Sequence, residues 1–378
     1  MHLERLELID FRNHPAAVVD LLPGPSVLLG SNGAGKTNVL EAVGYLATLG
    51  SHRPGQESSL VRVGADAAIV RAAAVRDSRT ILIDLEIRPG AGLRGRVNRT
   101  PVPRARDLLG MVRATLFAPE DLAMVRGDPE ERRRFLDALA VQRLPRYLAI
   151  RQDYERILRQ RNTLLRSTGG RLPPGDGLAT LDVWDEKLAT AGAELWAGRL
   201  RLVEVLRPLV ERAYQELASQ PDPVEMAYVS SVLGTEEPEP EPVELARAVR
   251  ERLAADRLRE VERGVTLSGP HRDDLVLNLR GLPARTHASH GEAWSLALAF
   301  RLGAHRLLTN EGEEPILLLD DVFTELDRRR RERLVDLAMA VEQSIITASV
   351  VDELPEQLKA TMFHVEPGKI TRGGSHEP

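Results

Sequence analysis

The sequence predicts an α/β fold with a mixed sheet, interrupted by a mostly helical insertion. Short apolar strands alternate with amphipathic helices at both ends of the chain. The middle carries helical periodicity almost throughout, and a glycine-rich turn joins an apolar strand to a helix near the N-terminus. The expected boundaries are 1–117 and 263–378 for the two parts of an α/β head, and 118–262 for an inserted helical arm. A chain of 378 residues exceeds one ordinary core, which agrees with two domains.

Composition narrows the class. Hydrophobic residues at 43% and charged residues at 28% describe a globular protein. No Cys is present, which excludes disulfides and thiolate metal sites. The N-terminus lacks a basic segment followed by an apolar core, and no run of about eighteen apolar residues occurs, so a cytoplasmic, nucleoid-associated location without membrane contact is expected. A net charge of −5 does not advertise nucleic-acid binding, but net charge hides local clusters.

In chain order, Leu3, Leu6, Leu8 and Ile9 among Glu4, Arg5 and Glu7 predict a strand ending at Asp10-Phe11-Arg12-Asn13. Val18 to Leu22 predicts a second before the turn Pro23-Gly24-Pro25, and Val27-Leu28-Leu29 a third. Gly30-Ser31-Asn32-Gly33-Ala34-Gly35-Lys36-Thr37 then leads into a helix from Asn38 to Leu49. Gly, four residues and Gly-Lys-Thr between a strand and a helix is the pattern of a phosphate-binding loop. Its glycines let backbone N–H groups turn inward around a phosphate chain, and the helix N-terminus adds partial positive charge. Lys36 would reach the β- and γ-phosphates of a nucleotide, and the Thr37 hydroxyl would bind Mg²⁺. Ala68 to Val70 and Thr80 to Ile87 predict antiparallel strands of the mixed sheet.

Past Phe117-Ala118-Pro119 the signals are helical. Asp128 suits an N-cap, Pro129 the first turn and Glu131 the capping-box position. A helix from Pro145 to Ser167 is closed by Gly169-Gly170 and Pro173-Pro174-Gly175, and another spans Leu181 to Ala218, where Pro208 should kink or split it. This block reads as an antiparallel helical hairpin. Glu236 to Pro242 is an acidic connector, followed by a helix from Val243 to Glu262, the turn Thr266 to Asp274 and a strand from Leu275 to Leu279. The tail after Thr371 reads as disordered.

Three further stretches carry chemistry. Ile316 to Leu319 is a buried apolar strand ending in Asp320-Asp321, and strand carboxyl ends are where α/β folds bind ligands. Asp320 would hold Mg²⁺ directly or through water, and Asp321 would polarise an attacking water. Ser289-His290-Gly291-Glu292 precedes an amphipathic helix from Ala293 to Leu308. Ser289 and Glu292 fit a capping box, so ordinary helix initiation explains them as well as a phosphate contact does. Glu325-Leu326-Asp327 fits either an interface loop or an N-cap before the helix Arg328 to Val341.

Residues 132–171 hold eleven Arg, no Lys and three acids, a local balance of +8. With so few acids nearby to pair them, these arginines point to sequence-neutral binding of DNA phosphates rather than to a solvated face. Arg132, Arg133, Arg134, Arg151 and Arg159 are the candidate contacts.

The phosphate loop, serine-glycine signature, Asp-Asp strand and Glu-Leu-Asp loop, in that order, are similar to the ABC-type ATPase heads of the SMC-like superfamily. Over nearly its whole length the chain resembles the RecF family of bacterial recombination mediators. The most specific matches are Pro119-Glu120-Asp121 through Arg132-Arg133-Arg134-Phe135-Leu136-Asp137, and Gly269-Pro270-His271-Arg272-Asp273-Asp274. The resemblance implies ATP and Mg²⁺ as cofactors, weak DNA-stimulated ATP hydrolysis, and an ATP-dependent homodimer. That dimer would clamp double-stranded DNA at single-strand/double-strand junctions and work with RecO and RecR to load recombinase. Lys36, Thr37, Asp320 and Asp321, with Ser289, Gly291 and Asp327 from a second subunit, carry over position by position; Arg12 and Asn13 match the family's N-terminal nucleotide-side motif. Departures are His290 and Glu292 where the signature usually carries Gln, Trp294 where a basic residue is common, and Thr324 for Ser or Ala. Asp321 is one methylene shorter than the usual catalytic Glu, so hydrolysis should be slow. The competing reading is an ABC subunit that powers a membrane transporter; Thr347, at the position of a transporter's switch His, argues against it.

Overall fold

The computed structural model describes residues 1–51, 53, 57–171, 176–218, 222–236, 238–324 and 326–376. Two compact units emerge. The head comprises Met1–Leu122, Arg212–Pro221 and Trp294–Pro378, and the arm Ala123–Glu211 and Asp222–Ala293.

The N-terminal part carries β1 (His2–Phe11), β2 (His14–Asp20), β3 (Gly24–Leu29), α1 (Lys36–Thr48), β4 (Ala68–Arg76), β5 (Arg79–Arg88), β6 (Gly92–Val97), β7 (Thr100–Pro101) and β8 (Ala114–Phe117). Next come α2 (Leu122–Arg126), α3 (Pro129–Arg143), α4 (Arg146–Ser167), α5 (Asp176–Leu217), β9 (Val224–Val229), α6 (Pro242–Arg263), β10 (Asp274–Leu279), β11 (Leu282–Pro283) and α7 (Ala284–His287). The chain ends with α8 (His290–Asn310), β12 (Ile316–Leu319), α9 (Arg328–Ala340), β13 (Gln343–Ala348), β14 (Ala360–Glu366) and β15 (Lys369–His376).

The head contains a mixed sheet of order β15-β14-β3-β13-β12-β8, parallel except for the β15 edge. Every residue of β12 and β13 is buried, as expected of parallel strands covered on both faces. Leu319 pairs with Ile346, and Ile346 with Val27. This register brings the carboxyl ends of β3, β12 and β13 to one edge of the sheet.

The strands expected at Ala68–Val70 and Thr80–Ile87 do not join that sheet. They lie in a second, wholly antiparallel sheet of order β2-β1-β4-β5-β6-β7. Two-residue turns explain the difference: Asp77 and Ser78, then Asn98 and Arg99, have positive φ, the geometry that folds a strand straight back on its neighbour. Within β1 the buried Leu3 and Leu6 are three residues apart because a bulge between Leu3 and Arg5 shifts the register.

Other expectations need correction. Pro208 does not split its helix, since α5 runs unbroken from Asp176 to Leu217. Leu202, Val203, Leu206 and Val210 are buried around it, and four such side chains at roughly 1.5–3 kcal/mol each outweigh the roughly 3 kcal/mol cost of an interior proline. The tail after Thr371 is a strand through His376, paired antiparallel to β14. Residues 263–293 belong to the arm, because β10 pairs with β9, and the last turns of α5 belong to the head. Asp128 is the N-cap of α3 but makes no side-chain cap bond; its carboxylate accepts from Arg285 at 3.0 Å instead. Pro173-Pro174-Gly175 lies outside the described residues.

Buried ion pairs tie the arm together. Arg161 of α4 is fully buried and donates to Asp185 of α5 and Glu260 of α6, each at 2.7 Å, and to Thr266. Arg199 of α5 forms a two-pronged pair with Asp137 of α3 and donates to the Pro270 carbonyl. Each guanidinium has enough acceptors to offset its desolvation, and removal of one partner would strand a buried charge.

Candidate nucleotide-binding site

The loop between β3 and α1 has the backbone that its glycines permit. Gly33 and Gly35 have φ of +83° and +110°, conformations that disfavour any side chain. A Cβ at Gly35 would also stand 2.3 Å from His14 Nε2, and one at Gly30 2.4 Å from the Val365 carbonyl. Lys36 Nζ donates to the Gly30 carbonyl at 2.7 Å and to Ser349 Oγ at 3.3 Å, so its ammonium spans the loop.

Two hydroxyl and two carboxylate groups meet beside it. Thr37 Oγ1 and Thr347 Oγ1 each donate to Asp320 Oδ1 at 2.8 Å. Thr347 Oγ1 accepts from the Asp321 backbone N–H at 2.9 Å and lies 3.1 Å from Asp321 Oδ1. Asp321 has φ +47°, a left-handed turn that ends β12 sharply. Burial pushes the Asp320 carboxyl up, the two threonine hydroxyls pull it back, and the neighbouring Asp321 raises it further.

These groups fit a hard divalent cation. Asp320 is buried, and among the described residues no cation pairs with it, while the Thr37 oxygen faces the same carboxylate atom. No three His, Asp or Glu side chains converge among the described residues. An ion held here would complete its shell with water and phosphate oxygens, as Mg²⁺ does.

The N-terminal motif braces the loop. Asn13 Nδ2 donates to the Gly33 carbonyl at 3.0 Å, and its oxygen accepts from Asn38. His14 was not singled out by sequence. It is wholly buried, its pKa is lowered by burial, and Nε2 donates to the Gly35 carbonyl at 3.1 Å. Its only sequence signal is adjacency to Asn13. Arg12 is engaged elsewhere: its guanidinium forms a two-pronged pair with Glu41 of α1 and donates to Ser59. These bonds anchor the strand end to α1. Sequence places Thr347 only at the position of a transporter's switch His; its role as the link between Asp320 and Asp321 follows from the pairing of β12 with β13.

The Ser289 segment forms the capping box. Ser289 N–H donates to Glu292 at 2.7 Å, and Glu292 N–H to Ser289 Oγ at 3.3 Å. Glu292 also accepts from Arg280 at 2.6 Å, and these bonds, Arg280 first, hold its carboxyl down at about 2. Asp327 caps α9, accepting from Arg330 N–H at 3.0 Å. Glu325 lies outside the described residues.

Arginines of residues 132–171 find acids far along the chain, beyond the reach of a local charge count. Arg132 is buried and paired with Asp274 at 2.7 and 3.0 Å, so it is not available to a phosphate. Arg133 donates to the Asp273 carbonyl, Arg134 to Glu130 and Glu131, and Arg151 pairs with Glu155 at 3.6 Å. Arg159 is exposed.

Comparison with known proteins agrees with this geometry. The model of the RecF/RecN/SMC N terminal domain matches residues 2–367. DNA replication and repair protein RecF of Frankia alni is 52% identical over 98% of this chain and 100% of its own length. That of Streptomyces avermitilis is 51% identical over 98% and 100%. A solved structure of the recombination mediator protein RecF with ATP, in the RecFOR pathway, superposes with a TM-score of 0.88 at 26% identity, over 98% of this chain and 97% of the other. The Smc head domain of Pyrococcus furiosus shares the fold at a TM-score of 0.52 and 15% identity, covering 99% and 96%. Its phosphate loop, its Asp-Asp strand and these full-length relatives together show that the chain belongs to the RecF family of DNA replication and repair proteins, within the SMC-like ABC ATPases.

Proposed function

We propose that this chain is an ATP-dependent clamp for recombinational DNA repair and replication restart. In this reading ATP joins two copies on DNA at single-strand/double-strand junctions, slow hydrolysis releases them, and the dimer works with RecO and RecR to load recombinase. The observation that carries it is the buried Asp320 carboxylate held between Thr37 and Thr347 beside the phosphate loop.

The residues divide the work. Backbone N–H groups from Gly30 to Thr37 and the Lys36 ammonium bind the phosphate chain, and Thr37 with Asp320 holds Mg²⁺. Bound Mg²⁺ supplies the positive charge that offsets Asp320 and polarises phosphate oxygens. Asp321 accepts the proton of the attacking water, and the Thr347 hydroxyl fixes its orientation. Ser289 and the N–H groups at the start of α8, including that of Gly291, donate to the γ-phosphate held by the other subunit, with Asp327 at the joint. The capping box uses the Ser289 hydroxyl only as an acceptor, so its proton remains to be donated.

Among the described residues no helix is long and apolar enough to cross a membrane. The test is ATP turnover with and without duplex DNA. Wild type should hydrolyse ATP slowly and faster with DNA, and Asp321→Asn should lose turnover while keeping ATP. Undiminished turnover in Asp321→Asn would sink the assignment.

A further inference from the structure

We propose that the exposed face of α4 is the surface that grips the DNA phosphate backbone, through Arg156, Arg159 and Arg166; this rests on the DNA-clamp reading above. At 3.6 residues per turn, Gln152, Arg156, Arg159, Gln160, Thr163 and Arg166 fall on one stripe, and all six are exposed. At about 1.5 Å per residue the stripe is roughly 21 Å long.

Its chemistry is one-sided. Each of the six side chains donates hydrogen bonds, and no acid or apolar side chain interrupts them. The nearest acids, both exposed, flank the stripe: Asp153 holds Arg156 at 3.2 Å, and Glu155 faces Arg151 at 3.6 Å. Such exposed pairs are weak and yield readily to a phosphate. Arg159 makes no ion pair among the described residues. Arg166 donates to Thr163 Oγ1 at 3.1 Å, which lays it along the stripe. A purely solvated face would mix charges of both signs, as the 130–134 turn of α3 does.

The helix is also fixed from behind. Tyr154, Ile157, Arg161 and Leu165 are buried, and Arg161 is clamped by Asp185 and Glu260. A rigid row of donors suits a polyanion with about one charge per 1.7 Å of duplex and offers nothing to distinguish bases. Sequence-neutral duplex binding follows, through a different set of arginines from the buried Arg132 and its neighbours.

The test is fluorescence anisotropy with duplex DNA across a KCl series, with ATP present. Arg156→Ala/Arg159→Ala/Arg166→Ala should flatten the slope of log K against log salt by about 2.7, at about 0.9 per lost phosphate contact, equally on scrambled duplexes. Its melting temperature and ATP binding should match wild type. The single charge reversal Arg159→Glu should weaken binding in the same direction. A triple variant with the wild-type slope overturns the assignment. If wild type itself shows no salt-dependent duplex binding, the clamp reading fails and takes this one with it.

Discussion

Arg132→Ala should destabilise the arm rather than relax a grip on DNA. The guanidinium is 6% exposed, makes two bonds to Asp274, and satisfies the carbonyls of Met124 and Gly127 at 3.2 and 3.0 Å. Truncation leaves those carbonyls and a carboxylate without it. Breaking a buried pair costs about 3–5 kcal/mol. Asp274 is 24% exposed, so water can reach it, and it keeps the Leu275 N–H. The lower end, about 3 kcal/mol, is therefore expected. With a urea dependence of about 2 kcal/mol per molar, the unfolding midpoint followed by circular dichroism should fall by about 1.5 M. Arg132→Lys should recover only part of this, since an ammonium cannot make the fork. A midpoint equal to wild type together with lost DNA affinity would refute the structural role.

Further predictions follow from the head. Asp320→Asn removes a carboxylate whose pKa is raised by burial, a shift whose cost to stability grows as pH rises above the unfolded-state value and is complete above the folded-state value. At pH 7 without nucleotide the variant should melt higher, by the equivalent of about 1 kcal/mol, yet lose Mg²⁺-dependent ATP binding, as calorimetry would show. His305 is buried and its pKa is lowered to about 4, so its contribution is present above pH 6.5 and is lost as pH falls through 6.5 toward 4. At about 1.4 kcal/mol per pH unit the loss is roughly 3 kcal/mol, and His305→Phe should flatten the stability profile across that window in a pH-dependent urea series.

Local patterns were legible in the sequence. The phosphate loop, the Ile316–Leu319 strand, the helix of residues 146–167 and the Ser289–Glu292 capping box each depend on neighbours a few residues apart, and each stands where spacing and residue type put it. What failed depends on partners far along the chain. Asp274 lies 142 residues from Arg132, and Glu260 lies 99 from Arg161, so local charge counting overstated the free positive charge. Pro208 leaves α5 unsplit because its cost is local while the packing that offsets it is tertiary. The strand at Lys369–His376 has little apolar pattern of its own and is held by the ladder to β14. Thr347 became legible as a site residue only when strand order placed it beside Asp320.

The central claim is that one chain holds only part of the working nucleotide site and that ATP joins two. Light scattering on wild type and Asp321→Asn, with ATP and duplex DNA, tests it most directly. The account predicts a monomer without nucleotide and a persistent dimer of the variant in ATP. A variant that stays monomeric at saturating ATP and DNA would contradict it.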